Sequence, residues 1–443
     1  MRRRWIGAAL LGLAVLAVLS VGAVLDLRPD ASAESDSESV SNAAYKSVQD
    51  VTKDTEAGTP RSVTRDSETL PPAALQEVVT TFLSRSLAAQ MRLESVDLTD
   101  LYVEVNENAL LNQASIDWLV QARRLQPQDL TMRAAEYGVT YLECKPLDNG
   151  DWYLFLYEDQ AVQFTFLEGR TSYSAGIEHN FVLTHTPEGW RVVEHRRIED
   201  GFLLLEELLS AQAYDAHNTL AVSRLLNGLL SELLVDARAQ LTDREAQKQA
   251  YLADPEAYLH PDLAYAHAYD REAALAYAAA WVDPVELKRN PAWDVFDNLG
   301  GNCNNYVSQC LIAGGIPMDT VGTIGLQWKY YSGGIDARQV KQGRSSSWTG
   351  VGAFFAYCAH NTGYGLAAWA DGNLYAAQPG DVVQLGALGD FRHSVLVSEV
   401  VTDAEGNMMD LLLYSNTTDR IDYPMSAYAY TNVRLVQVLG WNG

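Results

Sequence analysis

Basic residues are scarce in this 443-residue chain, where 32 Lys and Arg stand against 57 Asp and Glu for a formal charge of -25. Apart from Arg2, Arg3 and Arg4, no basic cluster interrupts the acidic excess. Neutralising phosphates needs a basic face, so nucleic-acid binding is excluded as a function class. Cysteine is scarce as well. Cys144, Cys303, Cys310 and Cys358 are too few for a disulfide-stapled scaffold, no C-x-x-C pair is present, and the eight histidines lack ligand spacing. These absences point to a chain that stands on hydrophobic cores, with no structural metal and no cofactor. Its 48% hydrophobic residues can fill more than one core, and at roughly 150 residues per domain the length predicts two or three units.

One long apolar run is present. Trp5 to Leu25 contains no charged residue and follows the three arginines, the pattern of an export signal. Ala31-Ser32-Ala33 is a cleavage candidate, and the run is also long enough to span a bilayer, so residues 1–33 read as a signal peptide or a membrane anchor. Either way the positive flank stays inside and the rest of the chain lies outside. The expected location is extracellular or at the cell surface, with membrane contact only through this segment. Loss of residues 1–33 removes four arginines and two aspartates and takes the charge from -25 to -27. Residues 34–72 are dominated by Ser, Glu, Asp and Thr, which cannot bury enough surface to offset ordering, and read as a disordered linker.

From residue 73 the pattern changes. Leu75, Val78, Val79, Phe82, Leu83 and Leu87 share one helical face, and a second helix is predicted over Leu110 to Leu125. Strand-like runs follow at Leu130 to Cys144, Trp152 to Tyr157, Val162 to Phe166, Ile177 to Thr186 and Trp190 to Arg196. Thr186-Pro187-Glu188-Gly189 makes the last two a hairpin. Helices followed by an antiparallel sheet predict an α+β domain over 73–201. Its order of elements and its Glu188-Gly189-Trp190-Arg191-Val192-Val193 ending resemble an NTF2-like domain, a likeness that implies shape and no activity. His179, His185 and His195 lie on these strands without a companion acid or nucleophile at fixed spacing, and no role is assigned to them. Residues 202–265 carry leucines at helical spacing and read as a helical connector.

Chemistry is concentrated in residues 266–443. Asp270 is a predicted N-cap for a helix from Arg271 to Val282. Gly300-Gly301-Asn302-Cys303 then reads as a tight turn into a helix that ends at Gly314-Gly315. At a helix N-terminus, free backbone N–H groups and the helix dipole favour the thiolate. Cys303 is accordingly the candidate nucleophile, with a core cysteine as the bland alternative. Cys310 lies about two turns deeper on the same face, about 10 Å along the axis and too far for a disulfide, and reads as core. Cys358 sits on an apolar helix and reads as buried; His360 beside it has no adjacent acid. Phe391-Arg392-His393-Ser394 places a histidine at the mouth of a strand. A further strand, Met409 to Tyr414, delivers Ser415-Asn416-Thr417. Cysteine, histidine and then an amide is the chain order of papain-like hydrolases.

Residues about 268–440 resemble the "putative amidase domain" family of exported cysteine hydrolases, relatives of the NlpC-type and CHAP enzymes with a papain-like fold. The likeness is carried by Asp270-Arg271, Arg289-Asn290-Pro291, Asp297-Asn298-Leu299-Gly300-Gly301-Asn302-Cys303, Val307-Ser308-Gln309-Cys310-Leu311, Ser345-Ser346-Ser347-Trp348-Thr349, Pro379-Gly380-Asp381, His393-Ser394 and Thr418-Asp419-Arg420. It implies Cys303 as nucleophile and His393 as general base. Two positions depart from the family pattern: Asn302 stands where Asp is usual, and Asn416 where His is usual. An asparagine can still accept the imidazole N–H, so Asn416 is read as the residue that orients His393. Asn298 is the candidate oxyanion donor, with an Asx turn as its alternative. Trp348 is assigned either to a substrate cleft or to the core, and Asn302 to substrate contacts. The expected activity is hydrolysis of a peptide or other amide bond, with peptidoglycan peptides among the candidate substrates. Its rivals are a catalytically decayed binding or scaffold protein and a transglutaminase-like enzyme using the same dyad.

Overall fold

Helix α1 (Ala73–Arg92) starts directly after Pro71-Pro72 and buries Leu75, Val79, Phe82, Leu83 and Leu87 along one stripe. Asn106 caps α2 (Glu107–Arg124) by accepting from the Ala109 N–H at 2.8 Å. The computed structural model describes residues 59–443 except 66, 68, 69, 260–262, 298–300 and 335–340. The apolar run 5–25, the cleavage candidate and Asn298 therefore lie outside the described residues. Among the described residues no helix is long and apolar enough to cross a membrane.

The class is α+β, built on one large mixed sheet of twelve strands. Strand β1 (Arg61–Thr64) runs parallel to β2 (Met132–Pro146), which begins an antiparallel meander through β3 (Trp152–Phe164), β4 (Ser172–Thr186) and β5 (Gly189–Arg197). The run 152–157 and the first part of the run 162–166, through Phe164, form the single strand β3. The polar stretch between them looks like a break but is buried in the sheet, where Glu158 faces His179 and Asp159 accepts from the Gly176 N–H at 3.0 Å. The helical stretch beyond β5 divides into α3 (Asp200–Ser210) and the 35-residue α4 (Thr219–Ala253), which Asn218 caps.

The later part of the chain adds β6 (His267–Ala268), α5 (Arg271–Ala280), α6 (Cys303–Ala313), α7 (Val351–His360) and β7 (Gly365–Gly372). Strands β8 (Val382–Ala387), β9 (Asp390–Thr402), β10 (Met408–Ser415), β11 (Asp419–Pro424) and β12 (Asn432–Asn442) complete it. The two meanders join where β11 pairs with the start of β4, Asp419 opposite Ala175 and Ile421 opposite Tyr173. The far half of β4 pairs along the same edge with β5, His179 opposite Arg197. Gly176 separates the two pairings in a left-handed conformation (φ 71) that favours glycine, and a Cβ there would have to displace the Leu287 side chain, 2.4 Å away at Cδ2.

Burial follows the same continuity. One core runs from α1, α2 and the first meander through α3 and α4 into β8 to β11; a second lies under α5, α6 and α7. Hydrogen bonds cross the joint: Trp118 Nε1 donates to Ala429 O at 2.9 Å, and Arg123 Nε to Ala427 O at 2.8 Å. Residues 51–443 group as one unit.

Candidate active site

Cys303 opens α6 and is buried, 6% exposed. Gly301, at φ 109, makes the turn before it, and Gly315, at φ 87, closes the chain after it. Polar side chains of α6 lock its position. Asn304 Nδ2 donates to Ser347 O and Trp348 O at 3.1 Å each, Ser308 Oγ donates to Trp348 O at 2.9 Å, and Trp348 Nε1 donates to Asn305 Oδ1 at 2.7 Å. Trp348 itself is fully buried among Trp293, Trp328 and Tyr330. Of its two assignments, the core one describes its place.

His393 and Cys303 line the same cavity of about 230 Å³. Strand β9 comes against the start of α6 closely enough for the Ser394 N–H to reach the Cys303 thiol. Arg392 lines the cavity too, although neighbours on a strand point to opposite faces. The β8–β9 register explains this: Leu385 faces His393 and Gly386 faces Phe391, so Arg392 is the extra residue of a bulge that re-aims its side chain.

Burial controls the titration of both groups. It pushes the Cys303 thiol above its ordinary value, against the pull of the Ser394, Asn304 and Cys303 N–H groups and with help from the Asp200 carboxylate. Burial also lowers His393 to about 4, opposed by Asp200 and reinforced by Arg420. The resting pair is thus a neutral thiol and a neutral imidazole. The helix N-terminus does favour the thiolate as expected, but desolvation outweighs it here.

Asn416 does not touch the His393 ring. Its amide is buried and donates to Trp281 O at 2.9 Å and Lys288 O at 3.1 Å, while its carbonyl accepts from Asn302 Nδ2 at 2.5 Å. The expected orienting contact is therefore not formed, because the hydrogen bonds of this side chain go to Trp281, Lys288 and Asn302, none of which lines the cavity. Asn302 is engaged likewise: its side chain accepts from the Phe296 N–H at 3.2 Å and Asn305 Nδ2 at 2.9 Å, and its backbone N–H donates to Thr417 Oγ1 at 2.9 Å. The Asn302–Asn416 pair staples the turn before Cys303 to the turn after β10, and neither side chain lines the Cys303 cavity. Among the described residues no hydrogen bond orients the His393 ring, which packs near Tyr428 at 5.9 Å between centroids.

What the residue pattern misses is the far wall. Ile198, Glu199, Asp200, Leu203, Leu204 and Glu207 come from the end of β5 and from α3. Asp200 Oδ2 pairs with Arg420 Nη1 at 2.7 Å, and Glu207 pairs with Arg392. Thr418-Asp419-Arg420 was visible as a motif; its acidic partner, some two hundred residues earlier, had no local signal. Asp419 and Arg271, also motif residues, are structural: Arg289 Nη1 bonds Asp419 at 2.6 Å and Arg271 Nη1 bonds Asp381 at 2.9 Å. Among the strand histidines, His179 Nδ1 lies 2.9 Å from His195 Nε2, and the chain closes on Glu158 and Asn112 inside the first core. Among the described residues no three or more His, Cys, Asp and Glu side chains form a metal-ligand cluster.

This geometry can be set beside known proteins. Residues 268–439 match the family described as the putative amidase domain. The amidase segment holds Cys303, His393, Arg392 and Arg420, whereas the α3 wall of the cavity lies outside it. Over 143 residues the chain is 35% identical to the uncharacterized protein YhbB of Bacillus subtilis (strain 168), in a match covering 32% of this chain and 39% of that protein. The match thus spans about two fifths of that relative's length. No solved structure matches the chain.

Proposed function

We propose that the chain is an exported cysteine amidohydrolase or peptidase with Cys303 as nucleophile and His393 as general base, acting on amide bonds of the cell envelope. The observation that carries this reading is the meeting of a helix-opening cysteine and a strand histidine in one cavity, inside the amidase segment. An α-helix bearing the cysteine, packed on antiparallel strands that bear the histidine, also supports a papain-like arrangement; two helices before a long meander support an NTF2-like N-terminal part.

In this mechanism the neutral imidazole of His393 takes the Cys303 proton as sulfur attacks the amide carbonyl. The N–H groups at the start of α6 hold the developing oxyanion. The imidazolium then protonates the leaving amine, and water releases the acyl-enzyme. Asp200 favours the transient imidazolium and Arg420 opposes it.

The test is incubation of the full chain, its Cys303→Ala variant and its His393→Ala variant with peptidoglycan fragments and a peptide panel, read by mass spectrometry. Cleavage that disappears in both variants supports the reading. The rival, a decayed binding or scaffold protein, is favoured by the absence, among the described residues, of a hydrogen-bond partner that orients His393; it predicts equal binding by all three forms and no cleavage.

A further inference from the structure

Two arginines reach the cavity, and their partners differ in kind. Arg420 is held as part of the wall: it is buried, paired with Asp200, bonded through Nε to Ser174 Oγ at 3.3 Å, and covered by the rings of Tyr423 and Tyr428. Arg392 is held loosely. Its acids are Glu207 on α3 and Asp390, the latter at 3.1 Å; their side chains are 63% and 67% exposed, against 19% for Arg392 itself, so it is the acids that are free to exchange with water. Ion pairs so open to water contribute little. Its Nε is buried and has no hydrogen-bond partner. The bulge brings Arg392 into the same cavity as its chain neighbour His393.

The acids of the cavity wall are otherwise engaged. Glu199 accepts from the Phe202 N–H at 3.1 Å as the cap of α3, and Asp200 is bound to Arg420. A planar guanidinium with an unused N–H and exchangeable acids is suited to bidentate capture of a carboxylate. Building on the cysteine-hydrolase reading, we infer that Arg392 is a specificity residue: it binds a carboxylate carried by the amide substrate, and Glu207 of α3 occupies that place until substrate displaces it. The substrate class is an amide with a free carboxylate near the scissile bond, supplied either by an acidic side chain or by a chain terminus.

The test uses two alkylating agents of similar size and different charge, iodoacetate and iodoacetamide, on the folded full chain at neutral pH, with Cys303 labelling read by peptide mapping. The readout is the iodoacetate to iodoacetamide rate ratio. One unit charge at this range changes it about three- to tenfold. Arg392→Gln lowers the ratio by that factor, Arg392→Lys largely keeps it, and Glu207→Gln raises it. Glu206→Gln removes the same charge from the neighbouring position, where it pairs with Arg196, and leaves the ratio unchanged. If Arg392→Gln is not folded by circular dichroism, the Glu207→Gln and Glu206→Gln pair decides. A ratio that ignores Arg392 and Glu207, or that follows Glu206 equally, overturns the inference while leaving Cys303 as nucleophile. Failure of both agents to label Cys303 overturns the hydrolase reading and the inference with it. With cleavable peptides, exchange of Glu for Gln beside the bond and amidation of the C-terminus tell which carboxylate is read; loss of kcat/KM with neither exchange also overturns the inference.

Discussion

Asp200→Asn leaves the Arg420 guanidinium without its carboxylate. The pair is 2.7 Å long, with side chains 8% and 18% exposed for Arg420 and Asp200. Removing one partner of a buried pair costs about 3–5 kcal/mol. Arg420 keeps Ser174 Oγ and two ring faces, and Asp200 is partly wet, so the expected loss is roughly 2–3 kcal/mol. For a unit of this size that is a fall of about 2–4 °C in Tm. Calorimetry and urea unfolding of Asp200→Asn, Arg420→Met and the double variant form a cycle, in which the double variant should recover at least about 1 kcal/mol of the summed single losses. Reactivity should move the other way. Asp200 raises the Cys303 thiol, so its removal should speed alkylation of Cys303 at neutral pH under conditions where the variant remains folded. Asp200 precedes the amidase segment and Arg420 lies within it, so the cycle measures the joint between them. A coupling near zero, or a lower Tm with slower alkylation, refutes the reasoning.

A neutral Cys303–His393 pair predicts an alkylation rate that climbs through and beyond the ordinary thiol range near pH 8.5, with Cys310 and Cys358 unlabelled until unfolding; a plateau in acid, the mark of a thiolate–imidazolium pair, would count against it. Asn416→Ala should lose roughly 2–3 kcal/mol by urea unfolding, because it strands Asn302 Nδ2 and two carbonyls; unchanged stability with lost turnover would restore Asn416 to the His393 side. Burial raises Asp159 to about 7, above its unfolded value, so its favourable contribution is present in acid and disappears as pH rises through neutrality. Relative to Asp159→Asn, the wild-type chain should therefore lose about 2–3 kcal/mol between pH 5 and 8, and a pH-independent difference in urea midpoints would sink this assignment.

Local chemistry made the centre of the site legible. Two glycines, a polar cap position and the helical run that ends at Gly314-Gly315 place Cys303 at a helix start, and a histidine at a strand mouth can face it. The hairpin at Thr186 to Gly189, both early helices and the strand ending at Ser415 were equally readable, because each is set by residues within one turn or one period. Asn416 shows where that kind of reading stops. Residue type permits an imidazole contact, but which carbonyls lie nearby depends on how Trp281 and Lys288 pack, and those positions carry no periodic signal. Arg392 fails for a related reason: strict alternation turns it away from His393, and only the bulge reverses that.

The wall formed by α3 follows from register along one edge of β4. Asp419 of β11 pairs with Ala175, and Arg197 of β5 pairs with His179, four residues farther along the same edge. At about 3.3 Å per residue the two pairings lie about 13 Å apart. The chain leaving β5 after Arg197 therefore enters α3 beside the start of β11, which brings Asp200 to Arg420 and Glu207 to Arg392. Gly176, in a left-handed conformation, lies between the two pairings. The segment 268–439 contains the cysteine and the histidine but only the two arginines of the cavity's charge pattern, whose three acids, Glu199, Asp200 and Glu207, lie before it. The charged lining of this cavity is thus assembled by the contact between two stretches of sequence, and on the proposed reading a substitution on α3 changes which substrates are accepted while leaving Cys303 and His393 in place.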